Sequence, residues 1–452
     1  MGALFKKMNN RERIQKRIER DKARREAKRK AFNSQYDDYC KVFDFEHLWE
    51  SGRKCCNGVR WKASVQRWEA YLLTNVSAAY KELQSMNFQK HSGDFCCFDL
   101  YERGHLRHIR SLKISERSVQ KALCDYALVP VLSRSHIYDN GATMKGKGIT
   151  FTEKRLTEHI RRFVGKMGPV NALRNGYIVQ YDFHHFFDNA SHDVLKRIIH
   201  KNFMDERLVF TIEKFIDDFG KRGLGLGSQI SQVLALTLAD KLDHEIKDRM
   251  GMKFYGRYMD DGYVLCANKN EARAVMNRIH EICRELDIEI NEKKTRIVKF
   301  SRGFRFLKVF YRTTETGKII RTTNHAGIKR MRQKLRKFRR RFDAGRMTLE
   351  SIEMALEAWF AHCRRADTYW TRMSMLARFH LMFPESEAFF CRKTDVEKNI
   401  RNAQEFVHRW KEAHEQTDPF WDRIHMIHDY REYRKKEIEN GLLQVSFRRC
   451  CS

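Results

Sequence analysis

Two adjacent carboxylates, Asp260 and Asp261, stand at the joint of two strand-forming runs. Lys253-Phe254-Tyr255-Gly256-Arg257 precedes Tyr258-Met259-Asp260-Asp261, and Gly262-Tyr263-Val264-Leu265-Cys266 follows it. Aromatic and β-branched residues around such a break read as strand, turn, strand. Neighbouring side chains in a regular strand point to opposite faces, so the pair can converge on one ion only at a turn. Two carboxylates that close repel and raise each other's pKa unless a cation neutralises them. A hard divalent ion such as Mg²⁺, which prefers carboxylate oxygens, is the natural candidate. A solvated surface pair is the alternative, and the chain has two other Asp-Asp pairs, Asp37-Asp38 and Asp217-Asp218. Only the pair at Asp260 is bracketed by strand-formers on both sides.

Two-metal phosphoryl transfer needs a further carboxylate to bridge ions roughly 3.5–4 Å apart. Tyr177-Ile178-Val179-Gln180-Tyr181-Asp182-Phe183 reads as a buried strand ending on one. A helix then starts near Ser191, with Val194, Leu195, Ile198 and Ile199 on its apolar stripe. Alone, an Asp at a strand end is as readily a turn former or a helix cap. Its weight comes from combination with the Asp260 hairpin.

The order Tyr181-Asp182-Phe183-His184-His185-Phe186-Phe187-Asp188, then Leu226-Gly227-Ser228-Gln229-Ile230-Ser231-Gln232, then Tyr258-Met259-Asp260-Asp261 resembles motifs A, B and C of reverse transcriptases. Asn291-Glu292-Lys293-Lys294-Thr295 is similar to motif D, and Gly303-Phe304-Arg305-Phe306-Leu307-Lys308 to the primer grip. Upstream, Arg107 to Ile114 leading into Glu116-Arg117-Ser118-Val119-Gln120 is similar to the fingers of prokaryotic members. The likeness spans roughly residues 95 to 380 and points to the diversity-generating, phage-defence and group II intron-like groups.

The resemblance implies an α+β right-hand polymerase, with fingers and a palm of antiparallel sheet packed on helices, an α-helical thumb, and helical extensions at both ends. It implies two Mg²⁺ ions, with Mn²⁺ as a substitute, held by Asp182, Asp260, Asp261 and the Phe183 carbonyl. Lys294 would protonate the leaving pyrophosphate. Arg107, assisted by Arg103, would grip the triphosphate. Phe187 would exclude a 2′-hydroxyl, and Gly227 and Gln232 would lie beside the nucleotide. Phe304, Phe306 and Leu307 would form the primer grip. Core packing for Phe187, solvated surface for Arg107 and Lys294, and helix start for Asp188 are the plainer readings. Leu226 and Gln232 depart from the retroviral glutamine and proline, which implies error-prone copying.

At 452 residues and a formal charge of +31, the chain is large enough for more than one domain and suited to a polyanion. No run of about eighteen apolar residues suggests a membrane span, and no secretory signal is evident. The 12 cysteines form no Cys-x-x-Cys pair, which argues against zinc. Reduced thiols in a cytoplasm fit best.

Residues 1–33 read as a basic helix, with docking on RNA or simple solvation as the two readings. Residues 34–95 read as a helical extension, with Trp49, Trp61, Trp68 and Tyr71 mostly in its core. Fingers are placed at 96–176, where Lys145 and Lys147 sit among glycines that allow close approach to a nucleic acid. The palm is placed at 177–312. The helical thumb, at 313–392, carries Arg332, Arg336, Arg339 and Arg340 toward phosphates, and Thr348 caps its second helix. A C-terminal helical extension fills 393–452.

The implied function is RNA-directed DNA polymerisation in a prokaryotic retroelement or antiphage system. A mutagenic diversity-generating role is the near alternative, and an RNA-binding scaffold with an idle site the more distant one. Expected partners are an RNA template (a dedicated non-coding RNA among the options), DNA product, deoxynucleoside triphosphates, and an accessory protein or second copy of the chain, with no membrane.

Overall fold

The computed structural model describes residues 10–86, 95–102 and 105–386. The expected C-terminal extension, the first nine residues and Arg103 lie outside the described residues. The fold is α+β, and its packing separates two compact units, Met1–Arg302 with Thr314–Lys318, and Gly303–Thr313 with Ile319–Ser452.

The first unit holds β1 (Phe95–Glu102) and β2 (His105–Leu112), an antiparallel ribbon. Its main sheet comprises β3 (Tyr177–Asp182), β4 (Tyr255–Tyr258), β5 (Asp261–Cys266) and β6 (Arg296–Lys299). The spatial order is β4-β5-β3-β6, antiparallel throughout. The inner strand β3 is buried on both faces because both are covered. On one face Val179, Tyr181, Tyr255 and Val264 join the core with Ala272, Val275, Ile279 and Ile282 of the helix Lys269–Glu285. The opposite face meets the helix Ile149–Met167, whose His159 Nδ1 lies 3.0 Å from the Tyr263 hydroxyl. Phe163 of that helix packs edge-on to Phe254 and Phe300.

Around this sheet the local expectations largely hold. The helix His192–Asn202 follows Ser191 and buries Val194, Leu195 and Ile199. The basic N-terminal run is helical over Asn10–Asn33, and its shaft is exposed. Its base is docked, with Asn33 Nδ2 donating to the Asn202 carbonyl at 3.0 Å. Residues 34–95, read as a helical extension, contain the helices Phe45–Cys56, Ala63–Ala70 and Leu72–Gln84. One expectation there fails in part. Trp68 is buried, but Trp61 and Tyr71 are 75% and 68% exposed, because each falls in a connection rather than on an inward helix face. Asp37 and Asp38 are structural as well: Asp37 accepts the Met204 and Asp205 amides, and Asp38 caps the helix Tyr39–Val42.

The second unit contains β7 (Phe304–Phe306), β8 (Val309–Thr313) and β9 (Ile319–Thr323), antiparallel in that order. Helices His325–Asp343, Leu349–Cys363 and Tyr369–Met382 enclose their own core of Met331, Leu335, Ile352, Leu356, Phe360, Met375 and Phe379. Thr348 caps the second of these by accepting the Ser351 amide at 3.3 Å. Gly303–Thr313, of which 303–312 are placed in the palm by sequence, packs with this unit. Among the described residues no helix is long and apolar enough to cross a membrane.

Candidate active site

The register of β3 on β5 sets Asp182 directly opposite Asp261. Tyr258 pairs with Asp261 across β4 and β5, leaving Met259 and Asp260 as a two-residue turn. The turn is tied to the end of β3, since the Phe183 amide donates to the Asp260 carbonyl at 3.3 Å. Three acids separated by up to 79 positions in the chain therefore meet at one end of the sheet.

Asp182 is only 4% exposed, and the segment after Ile290 wraps it. Lys294 Nζ lies 3.0 and 2.8 Å from its two carboxylate oxygens, and Asn291 Nδ2 donates to Oδ1 at 3.1 Å. The Asn291 amide donates to the Asp182 carbonyl at 2.8 Å, while the Asp182 amide donates to Thr295 Oγ1 at 3.3 Å. Lys294 is thus placed on the acid cluster. Asn291 and Thr295 carry no chemical signature of their own in the sequence, and only their adjacency to Lys294 hinted at them.

Electrostatically the cluster sets three acids against a single ammonium in contact, Lys294 on Asp182. Burial, and then the neighbouring Asp182 charge, raise the Asp260 pKa. Burial, Asp260 and Asp182 together push Asp261 up to about 7. Such a set favours either a shared proton or a cation. The donors are all hard carboxylate oxygens, the chemistry Mg²⁺ or Mn²⁺ prefers. As the side chains stand, no three His, Cys, Asp or Glu among the described residues are arranged to hold a metal ion. Lys294 supplies positive charge at Asp182.

The other expected residues fall in several places. Phe183 is buried, and Phe187 is half-buried against the core, 6.0 Å from the Phe186 ring. Gly227, exposed with φ 105°, precedes the helix Gln229–Leu238 that carries half-buried Gln232. That helix is anchored by Ser228 Oγ donating to Gln120 Oε1 at 2.7 Å. Arg107 stands on β2 across from Leu100. Lys145 is exposed, whereas Lys147 Nζ donates to the carbonyls of Tyr138 and Asn140 at 2.8 and 3.1 Å. Lys147 therefore shapes its own loop.

In the second unit Phe304 and Phe306 are buried, and the β7–β8 hairpin turns on Leu307 and Lys308. Both have positive φ, 46° and 71°, a conformation usually given to Asn or Gly. Arg365 Nη2 braces that turn by donating to the Leu307 carbonyl at 2.8 Å. Arg340 is exposed and Arg332 and Arg336 are half-exposed. Arg339 is engaged with Asp343, Glu385 and the Met382 carbonyl, so it clamps the helix rather than facing a ligand.

Residues 103–310 match the family model of the reverse transcriptase (RNA-dependent DNA polymerase). No curated protein matches the chain. Among solved structures, an apo telomerase from Candida tropicalis, truncated from its C-terminal domain, is similar with TM-score 0.39 at 14% identity. That alignment covers 50% of this chain and 54% of the telomerase chain. A telomerase from Candida albicans bound to a fragment of telomeric RNA has TM-score 0.39 at 13% identity, covering 71% and 66%. The chain thus spans less than two thirds of either. The matched segment includes every element that positions Asp182, Asp260 and Asp261, and the chain carries a reverse transcriptase domain.

Proposed function

We propose that the chain copies an RNA template into DNA by two-metal nucleotidyl transfer at Asp182, Asp260 and Asp261. The observation that carries this reading is the cross-strand placement of Asp182 against Asp261, beside a turn that brings Asp260 to the same end of the sheet. Bound divalent ions would lower the pKa of a primer hydroxyl and neutralise charge on the leaving pyrophosphate. The three carboxylates and the Phe183 carbonyl would hold them.

Within that frame the side chains have distinct tasks. Lys294, which rests on Asp182, would donate its proton to the leaving pyrophosphate. Phe187 presents its ring to the sugar and disfavours a 2′-hydroxyl. Arg107 and Arg103 bind the triphosphate, and Gly227 and Gln232 lie beside the base. Phe304, Phe306 and Leu307 support the primer, while Arg332, Arg336, Arg340 and Lys145 contact nucleic-acid phosphates. The exposed helix Asn10–Asn33 gives structured RNA a further basic surface. The departures at Leu226 and Gln232 favour error-prone synthesis. A cytoplasmic prokaryotic retroelement or antiphage system is the setting we favour, with diversity generation as the second.

Changing Asp260 and Asp261 together to Ala and assaying RNA-templated incorporation tests the reading. Loss of at least a thousandfold is expected. Retained incorporation would refute it, and intact biological activity without incorporation would favour an RNA-binding scaffold.

A further inference from the structure

Behind the turn that bears Asp260 and Asp261 lies a chain of buried polar groups centred on Asp243, a residue of the short helix Asp240–His244. Asp243 and Arg257 have no solvent exposure. Arg257 Nε donates to Asp243 Oδ1 at 2.8 Å and Nη2 to Oδ2 at 2.6 Å, a bidentate fork. The remaining guanidinium nitrogen, Nη1, donates to the Met259 carbonyl at 2.8 Å, and Nη2 also reaches the Leu236 carbonyl at 3.1 Å. The backbone of Arg257 is bolted down as well. Its amide donates to the Asp139 carbonyl, and its carbonyl accepts the Gly141 amide.

Met259 needs that hold. Its φ of 55° is left-handed, which a side chain of this size rarely adopts unless the surroundings impose it. Asp243 also reaches the other strand of the site. Tyr255 donates its hydroxyl to Asp243 Oδ1 at 2.5 Å, and the Tyr255 and Tyr181 hydroxyls lie 2.7 Å apart. Tyr181 immediately precedes Asp182. Its ring passes over Gly262, where an added Cβ would fall 2.1 Å from a ring carbon. Gly262 in turn immediately follows Asp261. One buried anion is thereby linked through Tyr255 and Tyr181 to the strand of Asp182, and through Arg257 and Met259 to the turn of Asp260 and Asp261.

We propose that Asp243 is a positioning residue of the polymerase site, fixing the Asp260–Asp261 turn against the Asp182 strand through the Arg257 fork and the two tyrosine hydroxyls. The inference rests on the proposed role of the three carboxylates. A buried ion pair is a poor device for stability alone, since well-packed apolar residues often serve as well. What it supplies here is geometry: planar donors that meet a carboxylate and a carbonyl at once.

Arg257→Lys keeps the charge and loses the fork, and Tyr255→Phe removes one hydroxyl with little change in packing volume. For folded Arg257→Lys, at least a tenfold fall in kcat for RNA-templated extension is expected, with KM for the nucleotide within twofold of wild type. Affinity for Mn²⁺ alone, read by electron paramagnetic resonance, should weaken at least threefold. Tyr255→Phe should lower kcat severalfold in the same pattern, and the double variant should fall short of the product of the two losses. Wild-type kcat and Mn²⁺ affinity in folded Arg257→Lys, with only a lower Tm, would overturn the proposal. If Arg257→Lys does not fold, Tyr255→Phe and Tyr181→Phe decide the matter by the same readings. Retained extension by the Asp260/Asp261 double variant would instead defeat the underlying reading of the carboxylates.

Discussion

Asp261 offers the sharpest test of the electrostatics, through Asp261→Asn. In the metal-free fold its pKa is pushed from 3.8 up to about 7, chiefly by burial and then by Asp260 and Asp182. A carboxylate with a raised folded pKa contributes full stability below its unfolded value and loses it as pH rises through the folded value. The rise spans roughly three pH units, and at about 1.4 kcal/mol for each the cost of ionising Asp261 reaches about 4 kcal/mol above pH 7. Asn has nearly the same shape and no charge to bury. The variant should therefore be more stable than wild type in EDTA, by about 2 kcal/mol at pH 5 and about 4 kcal/mol at pH 8. Denaturant unfolding followed by tryptophan fluorescence at pH 5, 6, 7 and 8 gives the difference directly. Adding Mg²⁺ should narrow the gap at pH 8, because the ion replaces the missing countercharge for wild type alone. A gap that does not change with pH, or a wild type that is the more stable at pH 8, would refute the argument.

Lys294→Gln should lower kcat for nucleotide addition about a hundredfold, with the nucleotide KM little changed, if the ammonium is a general acid; single-turnover extension reads it, and an unaltered rate would exclude that role. Phe187→Val should raise incorporation of ribonucleotides relative to deoxynucleotides by about 10- to 200-fold, the range for removing one apolar wall, read from competitive extension on one template. Changing Arg336 and Arg340 to Gln should flatten the slope of log affinity against log salt by about one for each phosphate no longer neutralised. Arg339→Gln should lower the melting temperature with little effect on that slope, since its guanidinium is engaged within the unit.

Local chemistry made much of the fold readable. The strand-forming run of β3, the strand-formers around Asp260, the start after Ser191 and the cap at Thr348 all follow from rules that act within a few residues. The same locality explains the failures. Helical spacing cannot distinguish an inward aromatic from one in a connection, so an expectation that most of the four aromatics are core cannot single out Trp61 and Tyr71 as exposed. Charge density cannot tell Arg340, which meets solvent, from Arg339, which is held by Asp343 and Glu385.

The sequence alone determined which residue types were available for chemistry: three carboxylates at strand ends, a lysine in the following loop, and glycines where a backbone must pass close. It could not determine their distances. Only tertiary pairing decided that Asp182 faces Asp261, that Lys294 rests on Asp182, and that Asp243 anchors Arg257 and Tyr255. The physical reason is that a strand register and a buried ion pair are fixed by burial between separate elements, here from 12 to 112 positions apart, which rules acting within a few residues do not link.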